Sequence, residues 1–350
     1  MSDKSSISIV LLIIPVIALV VISDQLAIRL FERIATLLCI NLILVLGLQV
    51  FMGNSGILSF AHMGFMGIGA YTSAVVTIPV RMKGMALPDL YQILATMQIS
   101  PFAGMIAGAV AAALVAAVIS FPLMRLSDAA AVITSFALLV VLHTIMVHWS
   151  QVTNGPRTLF GLPKATTLYI SAGAACLMIV VAMLFKESRT GLLLRAVRDD
   201  DVAASAIGCS ISVLRWRGFI LSAFMAGLGG GLWGHFITSF SPSAFYLKET
   251  FVILGMLVIG GSMTVSGAVL GTFAVTGAFE GLRTLENAIN IAHLLPKPVV
   301  GLTEVVLASV MILVLVLRPV GIIGTTEIGA LVVASRRRPD SKNALGRKNK

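Results

Sequence analysis

The sequence predicts an all-α, polytopic membrane protein with about ten transmembrane helices. Two observations carry this. Of 350 residues, 58% are hydrophobic and only 11% charged, against about 25% charged in soluble globular domains, and the mean hydropathy is +1.01. Apolar runs of 18 or more residues also recur along the chain, long enough to cross a hydrocarbon core of about 30 Å as helices. A membrane β-barrel would instead read as alternating strands of about ten residues.

The segments follow in order at 7–23, 27–50, 56–80, 102–124, 130–149, 167–185, 215–238, 250–263, 266–284 and 300–317. The first follows Lys4 and could pass for a secretory signal, but no Ala-x-Ala site closes it, so an uncleaved span is expected. The third is rich in glycine (Gly53, Gly56, Gly64, Gly67, Gly69), as is the seventh (Gly227, Gly229, Gly230, Gly231, Gly234). In lipid, helices gain by close dispersion packing, which small residues permit. The triplet Gly229-Gly230-Gly231 also offers a place for a helix to bend or unwind at mid-membrane. The two glycine-rich segments lie in opposite halves of the chain, as inverted repeats would require, although no residue-level self-similarity accompanies them. The eighth segment is short, and Gly260-Gly261 with Gly267 suggests a tight reversal into the ninth. An even count places a central polar island and the basic C-terminus on one side.

Charge sets the orientation. The net charge is +10, and seven basic residues crowd the fifteen positions from Arg336 to Lys350. With both termini cytoplasmic, sixteen of the 25 basic residues fall inside, as the positive-inside rule prefers. The basic tail reads as a solvated cytoplasmic end with a secondary attraction to anionic headgroups. No folded basic domain accompanies it, so nucleic acid is not an expected partner. Cys39, Cys176 and Cys209 match no metal-ligand spacing and form no disulfide framework. No Ser/His/Asp arrangement, metal cluster or carboxylate pair stands at useful spacing, so the sequence offers no support for an enzymatic reading.

The island is Ser188-Arg-Thr-Gly-Leu-Leu-Leu-Arg-Ala-Val-Arg-Asp-Asp-Asp-Val-Ala-Ala-Ser-Ala-Ile-Gly208. It predicts two short helices. Leu192, Leu193, Ala196 and Val197 would form the apolar side of the first. Asp199 or Asp200 would cap the second, because a carboxylate accepts the free amide groups at a helix start. That helix would run to about Ile207, with Gly208 as its left-handed end. Val202, Ala203, Ala206 and Ile207 would share a face able to lie in another protein's groove. An ordinary loop helix packed on its own bundle is the alternative.

These residues carry a resemblance. Asp201-Val-Ala-Ala-Ser-Ala-Ile-Gly208 resembles the Glu-Ala-Ala…Gly coupling loop of bacterial ABC importer permeases. The preceding Gly191-Leu-Leu-Leu-Arg-Ala-Val-Arg-Asp is similar to the branched-chain amino acid branch, LivM-type. The run from Gly53 to Tyr71, Thr153-Asn-Gly-Pro with Gly161-Leu-Pro163, Gly260-Gly261 with Gly267 and Gly271, and Arg318-Pro-Val-Gly321 agree with it in order. Three aspartates at 199 to 201 replace an acidic-Asn-Glu run, and Ser205 stands where Glu is common.

The resemblance implies a type II ABC importer-like permease in the bacterial plasma (inner) membrane. Residues 1–324 would be the permease domain, with a cytoplasmic coupling loop at 186–214, and residues 325–350 a disordered tail. The implied partners are two ABC ATPase subunits, a homologous second permease subunit, an extracytoplasmic amino-acid-binding protein and the lipid bilayer. No Gly-x-x-x-x-Gly-Lys-Ser/Thr loop occurs, so no cofactor is expected in this chain and ATP would be bound by partner subunits.

The coupling residues would be Arg195, Arg198, Asp199, Asp200, Asp201, Ala203, Ala204 and Gly208. Polar and glycine positions inside spans are candidates for the path or permease interface: Asn41, Ser59, His62, Gly229 and Gly230. His62 and Asn41 are equally readable as hydrogen-bonded packing residues. Glu304 would reach water at the start of the last span, while Lys248, Glu249 and Arg157 would face the binding protein. The expected cargo is a branched-chain or related hydrophobic amino acid. Alternatives are a urea or amide permease of the same class, an ion-coupled secondary transporter, or a structural membrane subunit.

Overall fold

All ten apolar segments become helices in the computed structural model, which describes residues 3–126, 128–291, 301–318 and 321–329. The first half comprises α1 (Asp3–Leu26), α2 (Arg29–Ser55), α3 (His62–Thr77), two short helices α4 (Val80–Ala86) and α5 (Gln92–Ala95), α6 (Pro101–Leu123), α7 (Asp128–His148) and the one-turn α8 (Ser150–Thr153). There follow α9 (Leu168–Glu187), the island helices α10 (Arg189–Asp199) and α11 (Asp201–Ala206), α12 (Ile211–Ile237), α13 (Leu247–Gly260), α14 (Val265–Ile291) and α15 (Leu302–Leu317). Eight of the described helices are long and apolar enough to cross a membrane. The helices α3 and α15 have 16 residues each, a rise of about 24 Å. The fold is an all-α membrane bundle.

The third segment departs from the expected continuous span over 56–80. Instead α2 runs on to Ser55, where Gly56 ends it in a left-handed conformation (φ +76°) with its N–H on the Met52 carbonyl. The Ser55 hydroxyl then accepts the Ile57 N–H at 3.2 Å, and helix resumes only at His62. A left-handed glycine meets no Cβ penalty and satisfies a terminal carbonyl, so the sequence breaks here. The reversal expected at Gly260-Gly261 is present: Gly261 (φ +116°) turns the chain and α14 starts at Val265.

The central helix is α12, enclosed by α2, α3 and α6. It approaches α3 at backbone distance: a Cβ on Gly230 would lie 2.0 Å from the Met66 carbonyl, and one on Gly69 2.2 Å from that of Gly227. Such contact is what small residues provide where lipid supplies no hydrophobic drive. The glycine triplet does not unwind, since α12 is continuous from Ile211 to Ile237; its glycines serve packing. Around this core, Ile14, Phe102, Leu114, Val118, Ile133 and Val316 are exposed, as a lipid-facing surface requires.

One end of the bundle collects the island, the end of α2, the reversal and the segment 321–329. There Gly329 N–H donates to Ser8 Oγ at 3.1 Å, Ile322 N–H to the Ile259 carbonyl at 3.0 Å, and Arg215 to the Leu126 carbonyl at 3.3 Å. The start of α1 and the last described residues therefore share the island's side, as an even number of crossings demands. Residues 325–329, assigned to the tail from sequence, belong to the bundle: Ile328 packs on the core and Gly329 is buried. The remaining tail, including Arg336 to Lys350, lies outside the described residues.

Candidate functional site

The island is an elbow whose helices are capped by their own sequence. Ser188 caps α10 by accepting the Gly191 N–H at 3.2 Å. Asp200, in extended backbone, caps α11 by accepting the Ala203 N–H at 2.9 Å, and Gly208 (φ +87°) follows its end. Caps of this kind stabilise a helix start by about 0.5–2 kcal/mol, which matters for a six-residue helix that cannot stand on propensity. The buried face of α10 is Gly191, Leu194 and Val197, while Leu192 and Leu193 point outward. This corrects the expected apolar side: 191, 194 and 197 follow the helical period on the face turned toward α12. Ala204 of α11 is buried beside Leu194, Val197 and Leu214. Val202 and Ile207 are each 75% exposed, on an elbow away from the apolar bundle surface.

The eight coupling residues divide in two. Asp199, Asp200, Asp201, Ala203 and Gly208 are exposed. Arg195, Arg198 and Ala204 turn toward the protein. Arg195 donates to the Lys186 carbonyl at 3.1 Å. Arg198 donates through Nη1 to the Gly53 carbonyl at 2.7 Å and through Nε and Nη2 to the Asp199 carboxylate at 3.2 and 3.1 Å.

Sequence reasoning missed a clasp beneath the elbow. Lys186, at the end of α9, pairs with Glu327 and donates to the Met263 carbonyl at 3.0 Å. Glu327 also accepts the N–H groups of Val265 (2.9 Å) and Ser266 (3.1 Å), so one carboxylate caps α14 and neutralises a buried lysine. Burial works against the charge of Glu327. The Lys186 ammonium and the bonds from Ser266 and Val265 outweigh it and hold the carboxyl below the usual glutamate range. Glu327 carries no periodic signal and lies 141 residues from Lys186, which is why local reading assigned it to the tail.

The path candidates separate likewise. His62 is buried where α2, α3 and α12 meet, with Nε2 at 2.9 Å from the Leu44 carbonyl and Nδ1 at 3.2 Å from Ser222 Oγ. Gly229 lies against Leu44, and Gly230 against the α3 backbone. In this arrangement His62, Gly229 and Gly230 are interior packing positions. Ser59 is buried too, at the α2–α3 break. Asn41 alone of the five lines a cavity of about 380 Å³ between α2, α12, α13, α14 and α15. Leu37, Trp233, Phe251, Val252 and Met256 supply its apolar wall, and Lys248, Glu249, Glu280 and Arg283 its charged part. Glu249 and Lys248 open α13, and Glu280 and Arg283 lie in the second half of α14, so the charged part lies at the end opposite the island. Asn41, Lys248 and Glu249 were singled out from the sequence, though not as one site; Glu280 and Arg283 were missed, and their i, i+3 spacing on α14 is a signal that could have found them. Among the described residues no group of three His, Cys, Asp or Glu could hold a metal. Of Glu304 only the backbone is described.

Residues 30–316 match a family described as "Branched-chain amino acid transport system / permease component". The chain is similar to the high-affinity branched-chain amino acid transport system permease protein LivM of Escherichia coli (strain K12), 28% identical over 264 residues, covering 65% of this chain and 57% of that protein. The LivM protein of Salmonella typhimurium is 25% identical over 260 residues, with the same coverage. The nucleoside ABC transporter permease protein NupC of Lactococcus lactis subsp. cremoris is 25% identical over 219 residues, covering 60% of this chain and 68% of NupC. The chain thus spans less than two thirds of the LivM relatives it matches. No solved structure matches it.

Proposed function

Because this chain belongs to the branched-chain amino acid transport system permease family, we propose that it is a membrane-spanning subunit of an ABC importer for branched-chain or related hydrophobic amino acids. The island elbow carries this reading. Val202 and Ile207 stand exposed on a short capped helix, at the end of the bundle where a soluble motor would dock. Two ATPase subunits would lie on the cytoplasmic side of a bacterial membrane, one of them engaging this elbow, beside a homologous permease subunit. An extracytoplasmic binding protein would deliver cargo at the opposite end. ATP would be hydrolysed by those partners, and closure of the ATPase pair would pull the elbow and rock the bundle between outward-facing and inward-facing arrangements.

The cavity at Asn41 suits the cargo. Its volume lies within the roughly 300–1,000 Å³ of small-molecule sites. An aliphatic side chain would find Leu37, Val252 and Met256, and an α-ammonium and α-carboxylate would find charges of both signs at 248–249 and 280–283. The similarity to a nucleoside permease favours a second cargo reading, in which Trp233 and Phe251 would stack on a base.

Deleting residues 199–208 should leave the protein inserted and abolish ATP-driven uptake into proteoliposomes that contain the full complex. Unchanged uptake would refute the coupling role. In intact cells an impermeant maleimide should fail to label Cys209, and should label it in inside-out vesicles; the reverse pattern would put the elbow beyond an ATPase's reach. Competition of labelled leucine uptake by valine, urea and uridine separates the cargo readings.

A further inference from the structure

Arg198 is covered more than a docking residue should be. Its side chain is 20% exposed, against 70% for Asp199. Two of its nitrogens are fixed by the Asp199 carboxylate, so the third is aimed at the Gly53 carbonyl near the last turn of α2. Its methylene stem lies on Gly56, where a Cβ would sit 2.7 Å from Arg198 Cγ. Gly53 is pressed from a second side as well, since a Cβ there would meet the Ser262 carbonyl at 2.2 Å and Gln49 Nε2 at 2.8 Å. Three elements therefore touch at one point: the island, the end of α2 and the reversal before α14.

Around this point several buried polar atoms make no hydrogen bond among the described residues. Gln49 is fully buried, and among the described residues neither its amide oxygen nor its nitrogen makes a hydrogen bond. Asn54 Oδ1 and Ser59 Oγ are in the same condition. Such groups are destabilising when dry and are relieved when water reaches them. Their position, at the α2–α3 break and at the island's end of the bundle, is where a cytoplasmic exit would have to open.

We propose that Arg198 works inward, as the positioning residue that fastens the island to the α2–α3 break, and that this break, with Gln49, Asn54 and Ser59, is the island-side gate of the path. A pull on α10 would draw the Gly53 carbonyl with it, lift the end of α2 from the reversal and admit water to the three polar side chains. This inference rests on the importer reading, but its central observation does not require ATP.

The test uses the complete complex, with Cys39, Cys176 and Cys209 replaced by Ala, Ala and Ser, and with Ser59→Cys as reporter of water access. A hydrophilic maleimide should label this site slowly in nucleotide-free inside-out vesicles. Labelling should be about tenfold faster when Arg198→Ala is added, the signature of a two-state gate shifted toward open. Arg198→Lys, which keeps a donor in reach of Gly53, should restore most of the slow rate. Arg198→Ala should also keep ATP hydrolysis while uptake falls, because force is generated but not delivered. Equal labelling rates with arginine and alanine would overturn the gate. Joint loss of ATPase association and hydrolysis in Arg198→Ala would also overturn it, by making Arg198 a docking contact. If Ser59→Cys fails to accumulate, Asn54→Cys reports on the same junction. Wild-type uptake without ATP dependence would refute the importer reading, while the nucleotide-free labelling would still decide the gate.

Discussion

The two ends of the bundle are held together in different ways. At the island's end, polar contacts join elements distant in sequence and converge on one region: Arg198 reaches Gly53, Lys186 reaches Met263 and Glu327, and Gly329 reaches Ser8. At the opposite end one network gathers on His235, whose ring meets Ser73 Oγ at 3.0 Å, Thr77 Oγ1 at 3.3 Å and the Pro163 carbonyl at 2.9 Å, with no charged side chain among these partners; around it the contacts are separate ties. Tyr169 donates to Asp24 at 2.8 Å, and Tyr91 to Gln151 at 2.5 Å. Lys83 donates to the Leu94 and Met97 carbonyls at 2.6 and 2.5 Å, and Glu286 caps the start of α15 through Thr303 at 3.0 Å. At the island's end charged side chains link the elements, so a pull on one is passed to the others, whereas the separate ties around the His235 network let the loops there shift independently.

Three substitutions test this contrast, in order of expected effect. Lys186→Ala leaves the Glu327 carboxylate buried and unpaired, and removing one partner of a buried pair costs about 3–5 kcal/mol. The thermal midpoint of the detergent-solubilised protein should fall clearly, and the Lys186→Met/Glu327→Gln double variant should recover much of the loss. The pair also sets a pH dependence. The folded carboxyl of Glu327 lies below its unfolded value, so its contribution is complete above the unfolded glutamate value of roughly 4.3 and fades as pH falls through the depressed folded value. Wild-type stability should drop on acidification in that window, and the double variant should drop less. A flat wild-type profile would remove the clasp from the network.

Gly56→Ala should cost about 1–2 kcal/mol from its left-handed backbone, with a further loss from the contact with Arg198. It should reduce uptake more than stability, because it strains the junction through which the island acts. Equal, small losses in both would make Gly56 a simple helix cap. Tyr91→Phe, at the other end, removes one exposed hydrogen bond of net worth about 0.5–1.5 kcal/mol at most. Its midpoint and uptake should stay near wild type; a large effect there would erase the contrast between the ends.

Much of the fold is legible in the sequence. The ten segments, the reversal at Gly260-Gly261, the Asp200 cap and the Gly208 stop follow from local rules that need only a few neighbouring residues. The same locality explains the misses. The helix break at Gly56 was hidden inside an apolar run, because hydropathy does not register a left-handed glycine. The inward turn of Arg195 and Arg198, the seat of Glu327 and the meeting of Asn41 with Glu280 and Arg283 depend on residues that approach only after the bundle forms.

From the chain alone come its membrane character, its helical segments and a water-facing elbow, because burial in lipid obliges each long apolar stretch to satisfy its own backbone. Tertiary structure decided the rest: which glycines admit a neighbouring helix, which arginines face inward, and which carboxylate neutralises Lys186. These are long-range pairings, chosen by shape and charge when helices pack, and no short window of sequence contains both partners.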